Sequence, residues 1–165
     1  MREEIIQLCD LRGNPCGSSP RGICHKDPSL IQMVVHLLIF NSNKDIFLQK
    51  RGPAKDVYPG RWDTSVGGHV GAGENVKKAM AREAKEELGI NIKPDEPQFL
   101  FKQLYTTEFE SEMSFVFKLT YNGPFYIDNF EVTEGRFFTP EEIRGKLGKE
   151  FFTPNFEDEF LTLQS

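Results

Sequence analysis

Cysteine is scarce in this chain of 165 residues, and its arrangement is uninformative for cross-linking. Cys9, Cys16 and Cys24 are an odd number with no CxxC spacing, which argues against a disulfide framework or a structural zinc site and favours reduced thiols. No apolar run approaches the ~20 residues that span a bilayer. The opening Met1-Arg2-Glu3-Glu4-Ile5-Ile6 is too polar for a secretory leader, so the expected location is cytoplasmic. Neither half carries a block of like charge. With 20 basic and 25 acidic residues the net charge is -5, which gives no footprint for a nucleic acid polymer and no polybasic membrane patch. Internal repeats and low-complexity tracts are missing as well. What is plentiful is phenylalanine, with 15 copies, a large apolar payload for a packed interior. The length suits one domain over residues 1–165.

Periodicity and turn residues give an outline. Ile5 to Leu11 and Gly22 to His25 read as two short strands flanking a turn-rich stretch, Gly13-Asn14-Pro15 and Gly17-Ser18-Ser19-Pro20. Met33 to Phe40 (MVVHLLIF) reads as a buried strand. Asn41-Ser42-Asn43-Lys44 then turns the chain into a second strand, Ile46 to Lys50. Gly52 to Trp62 holds Pro53, Pro59 and Gly60 and is a loop, and Thr64 to Val70 is a short strand. Asn75 caps a helix that runs to Leu88 and stops at Gly89, with Val76, Ala79, Met80, Ala84 and Leu88 as its buried stripe. Further strands are expected at Phe99–Thr107, Ser114–Leu119 and Glu131–Phe138. A helix opens at Thr139-Pro140 and another follows Thr153-Pro154. Strands on both sides of one central helix imply an α+β fold with a central mixed sheet between helical layers. Phe151, Phe152, Phe156 and Phe160 read as the buried face of the last helix, with a homodimer interface as the competing use.

The chemistry is concentrated in Gly68 to Ile90, GHVGAGENVKKAMAREAKEELGI. Its skeleton is Gly68, five residues, Glu74, seven residues, Arg82-Glu83, two residues, Glu86-Glu87, one residue, Gly89. Glu83, Glu86 and Glu87 stand three and four positions apart on one helix face, a spacing at which like charges repel. They also sit in the last turns, where the helix dipole disfavours anions. Two penalties at one place call for a compensating charge, and a hard divalent cation with oxygen ligands supplies it. Arg82 next door can fork onto a carboxylate. A solvated acidic face is the ordinary alternative for any Glu-Glu pair, but seven specified positions coincide by chance on the order of once in 10^8 windows at ordinary residue usage.

This segment resembles the Nudix box, the signature of the Nudix hydrolase superfamily, and all its defining positions are present. The resemblance implies a Nudix fold, an α/β/α sandwich, and a magnesium-dependent (or manganese-dependent) enzyme that cleaves a diphosphate linkage in a small nucleoside-diphosphate-type substrate. Carried over, it makes Glu83, Glu86 and Glu87 metal ligands, with the Gly67 carbonyl as an extra one, while Glu74 and Arg82 hold the loop and helix in shape. Glu86 or Glu87 activates water, with Glu112 or Glu110 as the outside candidate; Glu112 also counts among the candidate metal ligands.

Outside the box, FLQKRGPAKDVYPGRWDTSVGGHV (Phe47–Val70), ESEMSFVF (Glu110–Phe117) and EVTEGRFFTPEEI (Glu131–Ile143) resemble the branch containing isopentenyl-diphosphate isomerase and its hydrolase-like relatives. The isomerase metal site uses three histidines and two glutamates. His25, His69, Glu110 and Glu112 fall on four of those positions, but the fifth is Gln32, a poor ligand. The isomerase's catalytic cysteine, expected just before Gly68, is replaced by Gly67, which removes a principal acid–base group. Hydrolase is therefore the expected activity, with isomerase the runner-up. A non-catalytic nucleotide-binding sensor is a third reading, set against an intact box. Arg51 and Lys55 are the expected phosphate clamps and His69 a substrate or metal contact, whereas His36, in an apolar strand, reads as a hydrogen-bonded core residue. Tyr58 and Trp62 are candidates for stacking on a base or for packing their loop.

Overall fold

The computed structural model describes residues 3–55, 57–127 and 132–165. The organising element is β3 (Ile31–Phe40), whose apolar run is buried on both faces. Along its whole length it pairs in parallel with β8 (Ser111–Thr120). Along its other side it passes three antiparallel partners in turn. Gln32 and Ile31 meet β1 (Ile5–Cys9), Val34 to Leu37 meet β6 (Val66–His69), and Ile39 and Phe40 meet β4 (Ile46–Arg51). The edges are β2 (Pro15–Pro20) on β1, β5 (Trp62–Asp63) and β9 (Val132–Phe138) on β4, and β7 (Gln98–Thr106) on β8. One parallel pair among antiparallel ones makes the mixed sheet of an α+β sandwich.

Alternation along β3 feeds two cores. Met33, Val35, Leu37 and Ile39 pack with Ala79, Met80, Ala84 and Leu88 of α2 (Val76–Leu88). Leu38 faces the opposite way and joins Val116, Phe138, Ile143, Phe156 and Phe160, which brings in α3 (Pro140–Lys146) and α4 (Pro154–Gln164). Caps fix the helix starts. Asn75 Oδ1 accepts from Lys78 N at 2.9 Å, Thr139 caps α3, and Thr153 caps α4, with proline in the first turn of α3 and α4. Gly89 ends α2 at φ +66, a left-handed geometry that costs glycine nothing.

Two expectations change. Gly22 to His25 is not a strand; the chain forms a short helix, α1 (Arg21–Cys24), and the partner of β1 is the Gly- and Ser-rich segment β2. Asp10 explains the shift, since its Oδ1 accepts from Arg12 N and Asn14 N, each at 2.9 Å, closing the turn early. Prolines at both ends of β2 are tolerated because it is an edge strand. The expected start of β9 at Glu131 lies outside the described residues. Phe152, Phe156 and Phe160 are buried and Phe151 partly so, which withdraws them as the surface of a homodimer. Trp62 is buried against Phe138 and Phe151, which makes it a packing residue rather than a base-stacking one. Among the described residues, no helix is long and apolar enough to cross a membrane.

Candidate active site

Strand β6 delivers Gly67, Gly68 and His69, and the turn after it leads into α2, so strand end and helix face each other. Arg82 ties them. Its Nε and Nη2 fork onto Glu74 at 2.9 Å each, and Nη2 also donates to the His69 carbonyl at 3.1 Å. Glu74 Oε1 in turn accepts from Gly71 N at 3.0 Å. The pairing holds the Glu74 carboxyl below its usual range and the Arg82 guanidinium above its own.

The third guanidinium nitrogen, Nη1, reaches Glu83 at 2.7 Å and Glu86 at 3.3 Å. Glu87 turns away from both. Its Oε2 accepts from Gln49 Nε2 at 2.8 Å and its Oε1 from Gly67 N at 3.1 Å. The three glutamates thus share a helix face as their spacing requires, but their carboxylates part. Among the described residues, no three His, Cys, Asp or Glu side chains converge as a ligand set. Burial pushes the Glu83 carboxyl up to about 6, against the pull of Arg82 and with repulsion from Glu86. Burial pushes Glu87 up to about 8, against its bond from Gln49 and with repulsion from Glu83. Mutual repulsion of half-buried carboxylates is what a hard cation relieves, so the donor set fits one.

Gly68 leaves no space for a side chain. A Cβ there would stand 2.2 Å from Glu83 Cδ. Gly68→Ala is therefore expected to displace Glu83 and to weaken divalent-metal affinity by about 10–100-fold, as loss of a ligand's support does. Calorimetric titration with magnesium checks this, and unchanged affinity would show that Glu83 is free to move.

The remaining expected residues scatter. Arg51 is engaged within the protein, donating to the Val57 carbonyl at 2.9 Å and pairing with Asp63 at 3.2 Å. Lys55 lies close enough to His69 to help depress its imidazole. The main cause is burial, followed by the charges of Arg21, His25 and His36 ahead of Lys55, and together they push His69 down to about 3, leaving it neutral. His69 Nε2 meets Gln32 Oε1 at 3.0 Å, and Gln32 Nε2 donates to Glu110 at 3.3 Å and to the Ser111 carbonyl at 3.4 Å. Glu110 also bonds His25 Nδ1. The amide of Gln32 thus joins His69 to Glu110 by hydrogen bonds, and Glu110 carries the network on to His25. Glu112 is half-buried opposite Gln32 in the β3–β8 register, and burial raises its carboxyl.

The sequence reading passed over two features. Gln49, the donor to Glu87, is a buried polar residue inside an apolar strand, and that placement was its signal. Glu159 sits on the apolar stripe of α4 with Phe156 and Phe160, a position where an acid is costly. It pairs with His36, whose Nδ1 lies 2.9 Å from Glu159 Oε1. Burial alone would depress His36; the Glu159 carboxylate reverses this and raises it above its ordinary range, to about 9. Burial also raises Glu159.

Comparison with known proteins places the chain in a family. The NUDIX domain family matches residues 30–160. An uncharacterised Nudix hydrolase of Pseudomonas aeruginosa is 34% identical over 140 residues, covering 84% of this chain and 80% of its own. Isopentenyl-diphosphate Delta-isomerase 1 of Photorhabdus laumondii is 29% identical over 164 residues, with 95% and 93% covered. Among solved structures, a Deinococcus radiodurans protein superposes with TM-score 0.79 at 23% identity, covering 96% of this chain and 98% of that one. The MutT protein of Methanosarcina mazei gives 0.71 at 25%, with 84% and 94% covered. With a matched family spanning most of its length and the box glutamates gathered on α2 against the β6 glycines, the chain belongs to the Nudix hydrolases, enzymes that use divalent metal ions on small-molecule diphosphates.

Proposed function

We propose that this enzyme hydrolyses a diphosphate linkage in a nucleoside-diphosphate-type small molecule with magnesium as its ion, manganese serving in its place. The carrying observation is the box itself: Glu83 and Glu87 half-buried and repelling one another beside Gly67 and Gly68, with Arg82 forked onto Glu74 to hold the strand end against the helix. In this reading Glu83, Glu86, Glu87 and the Gly67 carbonyl hold the ion, while Glu112, on β8, stands apart from them beside Gln32. A divalent ion held by these residues would supply a lowered pKa for the attacking water and neutralise charge on the diphosphate oxygens. The protein's own part is positional. Arg82 fixes the helix, and Gln49 and Gly67 N–H orient Glu87. Glu86, the most open of the three at 59% side-chain exposure, or Glu87 takes the proton from water. His69, kept neutral, and Lys55 face the substrate, and Arg51 steadies the loop that carries Lys55.

The isomerase-named relatives favour a second reading, proton transfer on an allylic diphosphate. Its catalytic thiol has no counterpart at Gly67. A Cβ there would stand 3.2 Å from His36 Cδ2, a tight contact to which the imidazole would have to give way slightly. The test is a panel of nucleotides, nucleotide sugars and isopentenyl diphosphate incubated with magnesium, with products separated by chromatography. Metal-dependent cleavage of a nucleoside-type member, lost in Glu86→Gln, is the expected result. Conversion of isopentenyl diphosphate to its allylic isomer without cleavage of any member would overturn it.

A further inference from the structure

Glu159 and His36 form a buried pair that the hydrolase reading leaves unused, and the pair is expensive. Glu159 is 1% exposed, and its Oε2 has no hydrogen-bond partner among the described residues. A sealed oxygen without a donor costs stability, and replacing a buried ionisable pair by apolar residues is often neutral or stabilising. Its neighbours on α4 are the apolar Phe156 and Phe160, and the hydrogen bond that holds it is the one to His36. Cost without structural return points to function.

The position says which function. His36 lies opposite Gly67 in the β3–β6 register. Its ring edge fills the space over that glycine, with Cδ2 at 3.2 Å and Nε2 at 3.5 Å from where a Cβ would stand. On its other side Gly67 donates its N–H to Glu87. One glycine therefore separates the imidazole edge from a box glutamate. Glu159 occupies Nδ1, Nε2 is the ring's remaining polar atom, and Gly67 offers no side chain to cover it. Asp63 and Glu112 are the other charged groups that act on the ring.

We infer that His36, with its ring fixed by Glu159, is a substrate-contacting residue whose Nε2 meets a phosphoryl oxygen of the bound diphosphate. This rests on the hydrolase reading above. Glu159 touches no substrate; it is a positioning residue acting through His36.

The test combines variants with a direct observation of the ring. His36→Asn keeps a polar atom toward Glu159 and removes the Nε2 edge. The paired change His36→Leu with Glu159→Leu makes the site apolar. Each is expected to lower kcat/KM by about tenfold or more on a substrate that wild type cleaves, and the paired variant is expected to melt no lower than wild type. Wild-type kcat/KM in both variants would overturn the inference. Independently of variant folding, the His36 Hε1 resonance of the wild-type enzyme, one of three histidines, is followed while methylenediphosphonate and magnesium are added. A shift of that resonance together with the Gly67 and Gly68 amides supports the contact. Shifts of the amides alone refute it. No shift of any box amide removes the hydrolase reading and this inference with it.

Discussion

Replacing Glu87 with glutamine is expected to lower kcat/KM by about 10²–10⁴-fold and, in the metal-free protein, to raise thermal stability at alkaline pH. Both effects come from one carboxyl. Glutamine retains an oxygen for one of the two donors, Gln49 Nε2 or Gly67 N, and loses the charge. The sign of the stability effect follows from the raised pKa, about 8 in the fold against the ordinary carboxylate value in the unfolded chain. Between those values the folded protein binds the proton that the unfolded chain has lost, so the Glu87 contribution falls as pH rises. The limiting slope is about 1.4 kcal/mol per pH unit. Melting curves in chelator from pH 5 to 8 should show the variant gaining on wild type as pH rises. Saturating magnesium should cancel the gain, because the ion binds the ionised carboxylate that wild type alone supplies. A constant difference across the range would show that Glu87 is already ionised in the metal-free fold.

Arg82→Ala is expected to have the other large effect, through structure rather than charge alone. The guanidinium joins Glu74, Glu83, Glu86 and the His69 carbonyl. Its removal leaves Glu83 and the strand end without their common donor. With about a third of the side chain open to water, the cost is discounted to about 2 kcal/mol. For a chain of this length that is a fall in Tm of roughly 4–8 °C. Arg82→Lys should recover only part of it, since a point charge cannot fork onto Glu74 while reaching His69. Differential scanning calorimetry of both variants decides the matter. Equal recovery by lysine would mean that charge, and not the fork, holds the loop.

Helix α2 was legible to the residue, because cap, stripe and stop are all local signals and agree. Strand β3 was legible because a long apolar run bounded by a turn has few other uses. The β1–β2 pairing was not. A Gly- and Ser-rich edge strand carries no alternation, and the turn before it is set by the Asp10 side chain. In the site, the box positions were readable because their chemistry is written at fixed spacing along one helix. The contacts of Glu87 with Gln49 and of His36 with Glu159 join residues 38 and 123 positions apart in sequence, and only the fold brings such partners together.

The fit between Gly67 and His36 couples two positions of this site. A side chain at 67 would crowd the imidazole, so Gly67→Cys is expected to disturb the histidine. Shrinking residue 36 first opens room for the thiol and strands Glu159. The two positions touch, so substitutions at 36 and 67 are expected to be non-additive. Residues 36 and 67 therefore behave as one unit of the pocket, and a change at either is felt at the other.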